Sequence, residues 1–311
     1  MCKSHMDADY LNCEHFGEGN NETLKQDEGE ENPKAKKKQS NAIPWTGEPF
    51  QPEDIELISA RSSPVIIGMV GTADAGKTSY LGMLYTLLFN GKKFENWSFA
   101  GSQTLGAWES LAQYMKIRRD GTIKFPPSTP ANRDFYKLYH LALKRNHSVF
   151  RDILFADSSG EVFSKWSVDT SDPSAENAQW IYQNAGAFIF FVYSDALFIK
   201  RGAAKQEIAQ IAEQVLRNLN GRPITIVWSK SDLIEDIRAT VKASLEEDLL
   251  EIFPHARVLR ISNFSKENPD ELCHVNNIAA TEFLLEKLNR PSNLKMAPIV
   301  EYADDFFLSF R

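Results

Sequence analysis

The sequence predicts a three-layer α/β fold: a mostly parallel sheet with one antiparallel strand and helices on both faces. Three observations carry this. From residue 63 onward, strand-like and helix-like segments alternate. Several strand-like runs are continuously apolar, as strands covered on both faces require. The segment from Tyr136 to Leu143 reads as an extra strand that turns through Arg145-Asn146-His147 into the next run, which makes an antiparallel hairpin. Open sheets of this kind bind ligands at the carboxyl ends of their strands.

The strand-like runs are 64–70, 149–156, 186–193, 223–229 and 256–262. Helical patterns lie near 78–89, 104–118, 204–219, 236–251 and 276–289. Within 204–219, Ile208, Ile211, Ala212, Val215 and Leu219 recur at the spacing of one helix face, a core stripe. The first two strand-like runs are far apart in the chain. The gap has room for a helix, Thr104 to Arg118, and a proline-rich loop, Gly121 to Ala131.

A chain of 311 residues holds one large domain or two small ones, and a hydrophobic content of 42% supports a sizeable core. The net charge of −7 argues against general nucleic-acid binding through phosphates. No apolar run reaches the ~18 residues of a membrane span. Ala185 to Ile199 comes nearest, but Ser194 and Asp195 interrupt it, so it reads as a buried central strand. The polar, acidic start does not read as a signal peptide. Cys2, Cys13 and Cys273 are a sparse, odd set that suits a reducing cytosol, so a cytoplasmic location is expected.

The first residues differ from the rest. Cys2-x-x-His5 and Cys13-x-His15 place four zinc-type ligands close together. The tight second pair and the lack of core weigh against a tetrahedral zinc site, and a flexible start with exposed thiols is favoured over it. Residues 1–19 are thus a small metal-binding or disordered start. Gly17 to Asn32 and the basic run Lys34 to Lys38 read as a solvated linker, which closes with an extended arm through Pro49-Phe50. This linker and arm span 20–62.

The chemistry sits at the strand ends. Val65 to Val70 leads into Gly71-Thr72-Ala73-Asp74-Ala75-Gly76-Lys77-Thr78, a G-x-x-x-x-G-K-T loop followed by a helical segment from Ser79. The glycines let the backbone approach phosphate, and successive N–H groups form a nest for it. Lys77 reaches the β- and γ-phosphates, and Thr78 is placed to hold Mg²⁺. The helix start adds partial positive charge. The second run ends in Asp157-Ser158-Ser159-Gly160-Glu161, of the form D-x-x-G. Asp157 would bind Mg²⁺ through water, and the Gly160 N–H would meet the γ-phosphate. The fourth run ends in Trp228-Ser229-Lys230-Ser231-Asp232. Asp232 can accept from the paired N1–H and amine of guanine, a donor pair that adenine lacks. The stem of Lys230 can cover the base face.

These three motifs, in order and each at a strand end, resemble those of the Ras-like (TRAFAC-class) P-loop GTPases over about 63–290. The chain most resembles the bacterial double-GTPase families of predicted conflict and defence systems, through the phosphate loop, F-A-D-S-S-G-E and W-S-K-S-D. The resemblance implies the P-loop NTPase form of this three-layer fold, with a GTPase domain over 63–290 and a C-terminal tail over 291–311. It also implies a cytoplasmic switch that binds guanine nucleotide and Mg²⁺, and a protein partner acting as effector or activator. Ser229 stands where relatives have Asn or Thr, and Ile261-Ser262-Asn263 is a poor form of the fifth motif. For the first-switch threonine the candidate is Thr122, with Thr129 behind it. Arg119, three residues earlier, resembles the built-in arginine of G-protein α subunits, although a solvated helix-end pair with Arg118 is favoured. Glu161 takes the place of a water-orienting Gln. It can accept from water but cannot donate, so slow hydrolysis is expected. A non-hydrolysing nucleotide-binding scaffold and an ATP-using P-loop enzyme remain as alternatives.

Overall fold

The computed structural model describes residues 47–288, apart from 60–61, 117–118, 124, 132–135, 146–148, 218 and 265–267. Its strands are β1 (Val65–Gly71), β2 (Ser98–Gly101), β3 (Lys137–Arg145), β4 (Val149–Asp157), β5 (Ala185–Tyr193), β6 (Ile224–Ser229) and β7 (Arg257–Arg260). They form one sheet in the order β2-β3-β4-β1-β5-β6-β7. β3 runs antiparallel to both its neighbours, pairing with β4 from Lys137↔Asp157 to Arg145↔Val149. Every other pair is parallel.

The helices are α1 (Glu56–Ser59), α2 (Lys77–Phe89), α3 (Leu105–Tyr114), α4 (Gly160–Val168), α5 (Glu176–Asn184), α6 (Ser194–Lys200), α7 (Gly202–Leu216), α8 (Ala239–Ile252) and α9 (Asn276–Leu288). Strand side chains alternate between faces, so each buried strand feeds two cores. From β1, Ile67 and Met69 join Tyr80, Leu81, Trp108, Leu284 and Leu285 of α2, α3 and α9. Ile66 and Val70 join Phe163, Trp166, Ile181, Ile211 and Leu249 of α4, α5, α7 and α8. This double coverage is why the central strands read as unbroken apolar runs.

β1 lies between β4 and β5, and the chain leaves β1 and β4 for opposite faces of the sheet through α2 and α4. The carboxyl end of β1 is therefore a topological switch point, where a crevice opens in sheets of this type. The arm before β1 docks on the other side of β3. Phe50 is buried and exchanges two backbone hydrogen bonds with Leu138, and the Gly47 carbonyl accepts from Ala107 N–H at the start of α3. No helix among the described residues is long and apolar enough to cross a membrane.

Candidate functional site

The strand ends of β1, β4, β5, β6 and β7 bring the motif residues to one edge of the sheet. At the phosphate end, Gly71 closes β1 with φ of 153°, and a Cβ there would stand 2.8 Å from the Phe191 carbonyl oxygen. Gly76 opens α2 with φ of 82°. Only glycine meets the first requirement without a clash, and the second is a left-handed turn. Thr72, Ala73, Asp74 and Ala75 span the loop between them, and Ser79 lies in the first turn of α2. Lys77 is buried, and its ammonium donates to the carbonyls of Gly71 (3.0 Å) and Thr72 (2.9 Å). Burial pushes its pKa down to about 8, against the opposing pull of Asp157 and Asp74.

Beside the loop is a corner built of oxygen donors. Thr78 Oγ1 donates to Asp157 Oδ2 at 2.8 Å. Thr129 Oγ1 lies 3.4 Å from the same oxygen and 3.3 Å from Thr78 Oγ1. Asp157 is 1% exposed, and its Oδ1 has no hydrogen-bond partner among the described residues. Burial raises the carboxyl pKa, and Lys77 and the Thr78 hydroxyl oppose that rise. A buried, unpartnered carboxylate oxygen is costly. A divalent cation would relieve the cost, and one carboxylate with two hydroxyls is a donor set that fits Mg²⁺. The hydroxyls of Thr72 and Ser158, also buried, have no partner among the described residues. Orphaned polar atoms gathered at one crevice suit a polar ligand.

Gly160 packs flat on the phosphate loop. A Cβ on it would meet Ala73 N and Thr72 C at 2.1 Å, so no other residue fits this contact. Ser159 caps α4 by accepting from Glu161 N–H at 3.3 Å, and Glu161 itself is exposed in the first turn.

At the base end, Ser229 is buried and donates to the Val192 carbonyl at 3.2 Å. Its Cβ lies 3.8 Å from where a Cβ on Gly76 would stand, so it backs the phosphate loop. Lys230 has a left-handed backbone, φ 50°, and its ammonium donates to the Tyr193 hydroxyl at 2.9 Å. Asp232 is exposed, and Ser262 donates to its Oδ1 at 2.5 Å. Asn263 donates to the Ser79 carbonyl at 3.2 Å and accepts from Asn277 at 2.9 Å. The loop after β7 is thereby tied to Asp232, α2 and α9 together.

A family model described as Double-GTPase 2 matches residues 65–288. The chain belongs to this family. No curated protein matches it. Among solved structures it is similar to one described as nucleolar GTP-binding protein 1 from Plasmodium falciparum. That likeness has 11% identity and a TM-score of 0.42, and covers 72% of this chain and 88% of the other.

For this Double-GTPase 2 chain, two expected residues are not brought to the corner. Thr122 is exposed, and both its N–H and its hydroxyl bond to Asp120 Oδ1, at 2.9 and 2.7 Å. Asp120 captures it in a local turn of the kind Asp favours. Thr129, which precedes Pro130 and so is biased to an extended backbone, stands at the corner instead. Arg119 is exposed in the same turn as Asp120. The loop also reaches the base end, where Phe125 packs edge-on against Phe264 with ring centroids 5.6 Å apart. The Tyr193 and Asp195 contacts with Lys230 carry no sequence motif, and reading the sequence missed them. Cys2, His5, Cys13 and His15 lie outside the described residues, as do all of 1–46 and 289–311. Among the described residues no group of three or more His, Cys, Asp or Glu side chains is placed to hold a metal.

Proposed function

We propose that this Double-GTPase 2 chain is a Mg²⁺-dependent guanine-nucleotide switch that hydrolyses GTP to GDP slowly. The observation that carries this reading is the convergence of Thr78, Thr129 and the half-unpartnered Asp157 on one corner beside the phosphate loop. The three come from α2, the proline-rich loop and the end of β4, which are far apart in the chain. A fixed scaffold has no need to bring a loop threonine onto a buried carboxylate.

Thr78, Asp157 and Thr129 would hold Mg²⁺. When bound, it supplies positive charge against the β- and γ-phosphate oxygens. Lys77 exchanges its loop carbonyls for phosphate oxygens as nucleotide enters. The Gly160 N–H meets the γ-phosphate from the start of α4. Asp232, held by Ser262, accepts from the guanine edge, and Lys230 lays its stem on the base face. Ser229 braces the phosphate loop from behind. Water attacks the γ-phosphorus, and the bond to the β,γ-bridging oxygen breaks, leaving GDP and phosphate. Glu161 accepts from that water but cannot donate to the γ-phosphate, and its charge opposes the charge that develops there. A protein partner supplying a cation would offset this. Loss of the γ-phosphate frees Thr129, and with it the 119–131 loop, which is how a partner would sense the nucleotide state.

Single-turnover hydrolysis tests the proposal. GTP should convert to GDP slowly with Mg²⁺ present and not at all in excess chelator. Binding without any turnover would favour the scaffold reading, for which exposed Glu161 argues. Support for a bacterial defence or conflict role is the resemblance alone, and the proteins that co-purify with the chain test it.

A further inference from the structure

We infer that Tyr193 and Asp195 anchor the ammonium of Lys230 and so act as positioning residues for the face of the bound base. The inference rests on the guanine-nucleotide reading and extends it to two residues outside the sequence motifs.

The anchor comes from a neighbouring strand. Tyr193 closes β5 and is the sheet neighbour of Ser229, which closes β6 one residue before Lys230. Tyr193 donates its hydroxyl to Asp195 Oδ2 at 2.9 Å. Its oxygen lone pairs are then left for the Lys230 ammonium, which donates to it at 2.9 Å. A phenol polarised by a carboxylate is a stronger acceptor than a free one, so the three groups reinforce one another. The ammonium also sits 4.4 Å from the centre of the Tyr193 ring, within range of its negative face. The direct ion pair is longer, with Lys230 Nζ 3.8 Å from Asp195 Oδ2 and both side chains partly solvated. An exposed pair of that length contributes little alone. The phenol hydroxyl is the working contact.

The other end of Lys230 is fixed as well. Its left-handed backbone opens the helical turn Ser231–Asp236 that carries Asp232. A side chain with a Cβ adopts that conformation only when its surroundings hold it there. With backbone and ammonium both pinned, the four methylenes form a bar of set direction beside the carboxylate that reads the base edge. A free lysine would have to lose its rotamer freedom on binding, and the anchor removes most of that loss beforehand.

Two different signatures follow. Asp232 reads the edge, so changing it changes which base binds. The anchor acts on the base face, which every purine shares, so weakening it lowers affinity for GDP and IDP by the same factor. Tyr193→Phe keeps the ring and removes the hydroxyl. Fluorescent-nucleotide titration of the full chain should show a roughly five-fold loss of GDP affinity in Tyr193→Phe. The GDP-to-IDP ratio should not change. In a Lys230→Ala background, the same Tyr193→Phe change should have no further effect. A purely structural role for Tyr193 would not depend on Lys230 in this way. Wild-type GDP affinity in Tyr193→Phe, or an equal loss in the Lys230→Ala background, would overturn the inference. If instead the wild-type chain binds GDP no better than ADP, the guanine-nucleotide reading fails, and the anchor is still decided by whether Tyr193→Phe weakens purine-nucleotide binding only when Lys230 is present.

Discussion

Ser262 donates to Asp232 Oδ1 at 2.5 Å and so joins the loop after β7 to the loop after β6. An ionised carboxylate has about four lone-pair directions, and Ser262 uses one of them. The rest stay open toward solvent while the group is held in place. Asp232 is thus oriented by the protein's own Ser262. An exposed acid would need that support to read a base edge by two hydrogen bonds, the role proposed for Asp232. On the proposed function, the segment Ile261-Ser262-Asn263, weak as a sequence motif, would perform the orienting role through this one bond.

Thr129 rather than Thr122 should control the response to Mg²⁺. Thr129 Oγ1 stands 3.3 Å from Thr78 Oγ1, whereas the Thr122 hydroxyl is turned to Asp120. Thr129→Ala should raise the Mg²⁺ concentration needed for half-maximal GTP hydrolysis by at least about ten-fold. Thr122→Ala should leave it unchanged. A Mg²⁺ titration of single-turnover rates for both variants distinguishes them. An effect confined to Thr122→Ala would reverse the assignment.

Nucleotide binding should take up a proton at mildly alkaline pH. In the free chain burial lowers the Lys77 pKa to about 8. Phosphate oxygens favour the charged form, so the pKa rises in the complex. Below about pH 8 the lysine is already charged and no proton moves. Above it, binding must recharge the amine, so affinity falls as pH rises toward the pKa of the complex. Calorimetry of GDP binding near pH 8.5, in buffers of different ionisation enthalpy, should report net proton uptake. No uptake, or net release, would contradict this electrostatic account of the phosphate loop.

Glu161→Gln should not slow hydrolysis. Glu161 is exposed in the first turn of α4, where an acid suits the helix start whether or not it meets substrate. Glutamine in that position keeps an acceptor, gains a donor and removes a negative charge from beside the proposed γ-phosphate site. The single-turnover rate should hold or rise. A drop of ten-fold or more would mean that the carboxylate itself takes part in the chemistry.

What the sequence made legible follows from burial. β1, β4, β5 and β6 are covered on both faces, so their apolar runs and the motifs at their ends were visible without a structure. The β3–β4 hairpin was legible from its two runs. β2 was not, because Ser98–Gly101 is a short, half-exposed edge strand with no apolar pattern. α5 was also missed, since Glu176–Asn184 buries only Asn177, Ala178, Ile181 and Tyr182 in a polar segment. Within the site, loop glycines and strand-end acids announced themselves by spacing. The choice between Thr122 and Thr129 did not. It depends on a turn at Asp120 and on where a proline-rich loop lands, and neither leaves a periodic trace. Tyr193 and Asp195 meet Lys230 only because β5 and β6 are neighbours in the sheet, a relation between segments that no local pattern records.

The most direct test of the guanine-nucleotide account is equilibrium binding of GTP, ATP and XTP to the wild-type chain and to Asp232→Asn. The wild type should prefer GTP to both others. Asp232→Asn should lose about 2–4 kcal/mol of GTP binding. It should gain affinity for XTP, because an amide can donate to the carbonyl oxygen that replaces the guanine amine. Equal affinity of the wild type for ATP and GTP, or an Asp232→Asn variant with unchanged preference, would contradict the account.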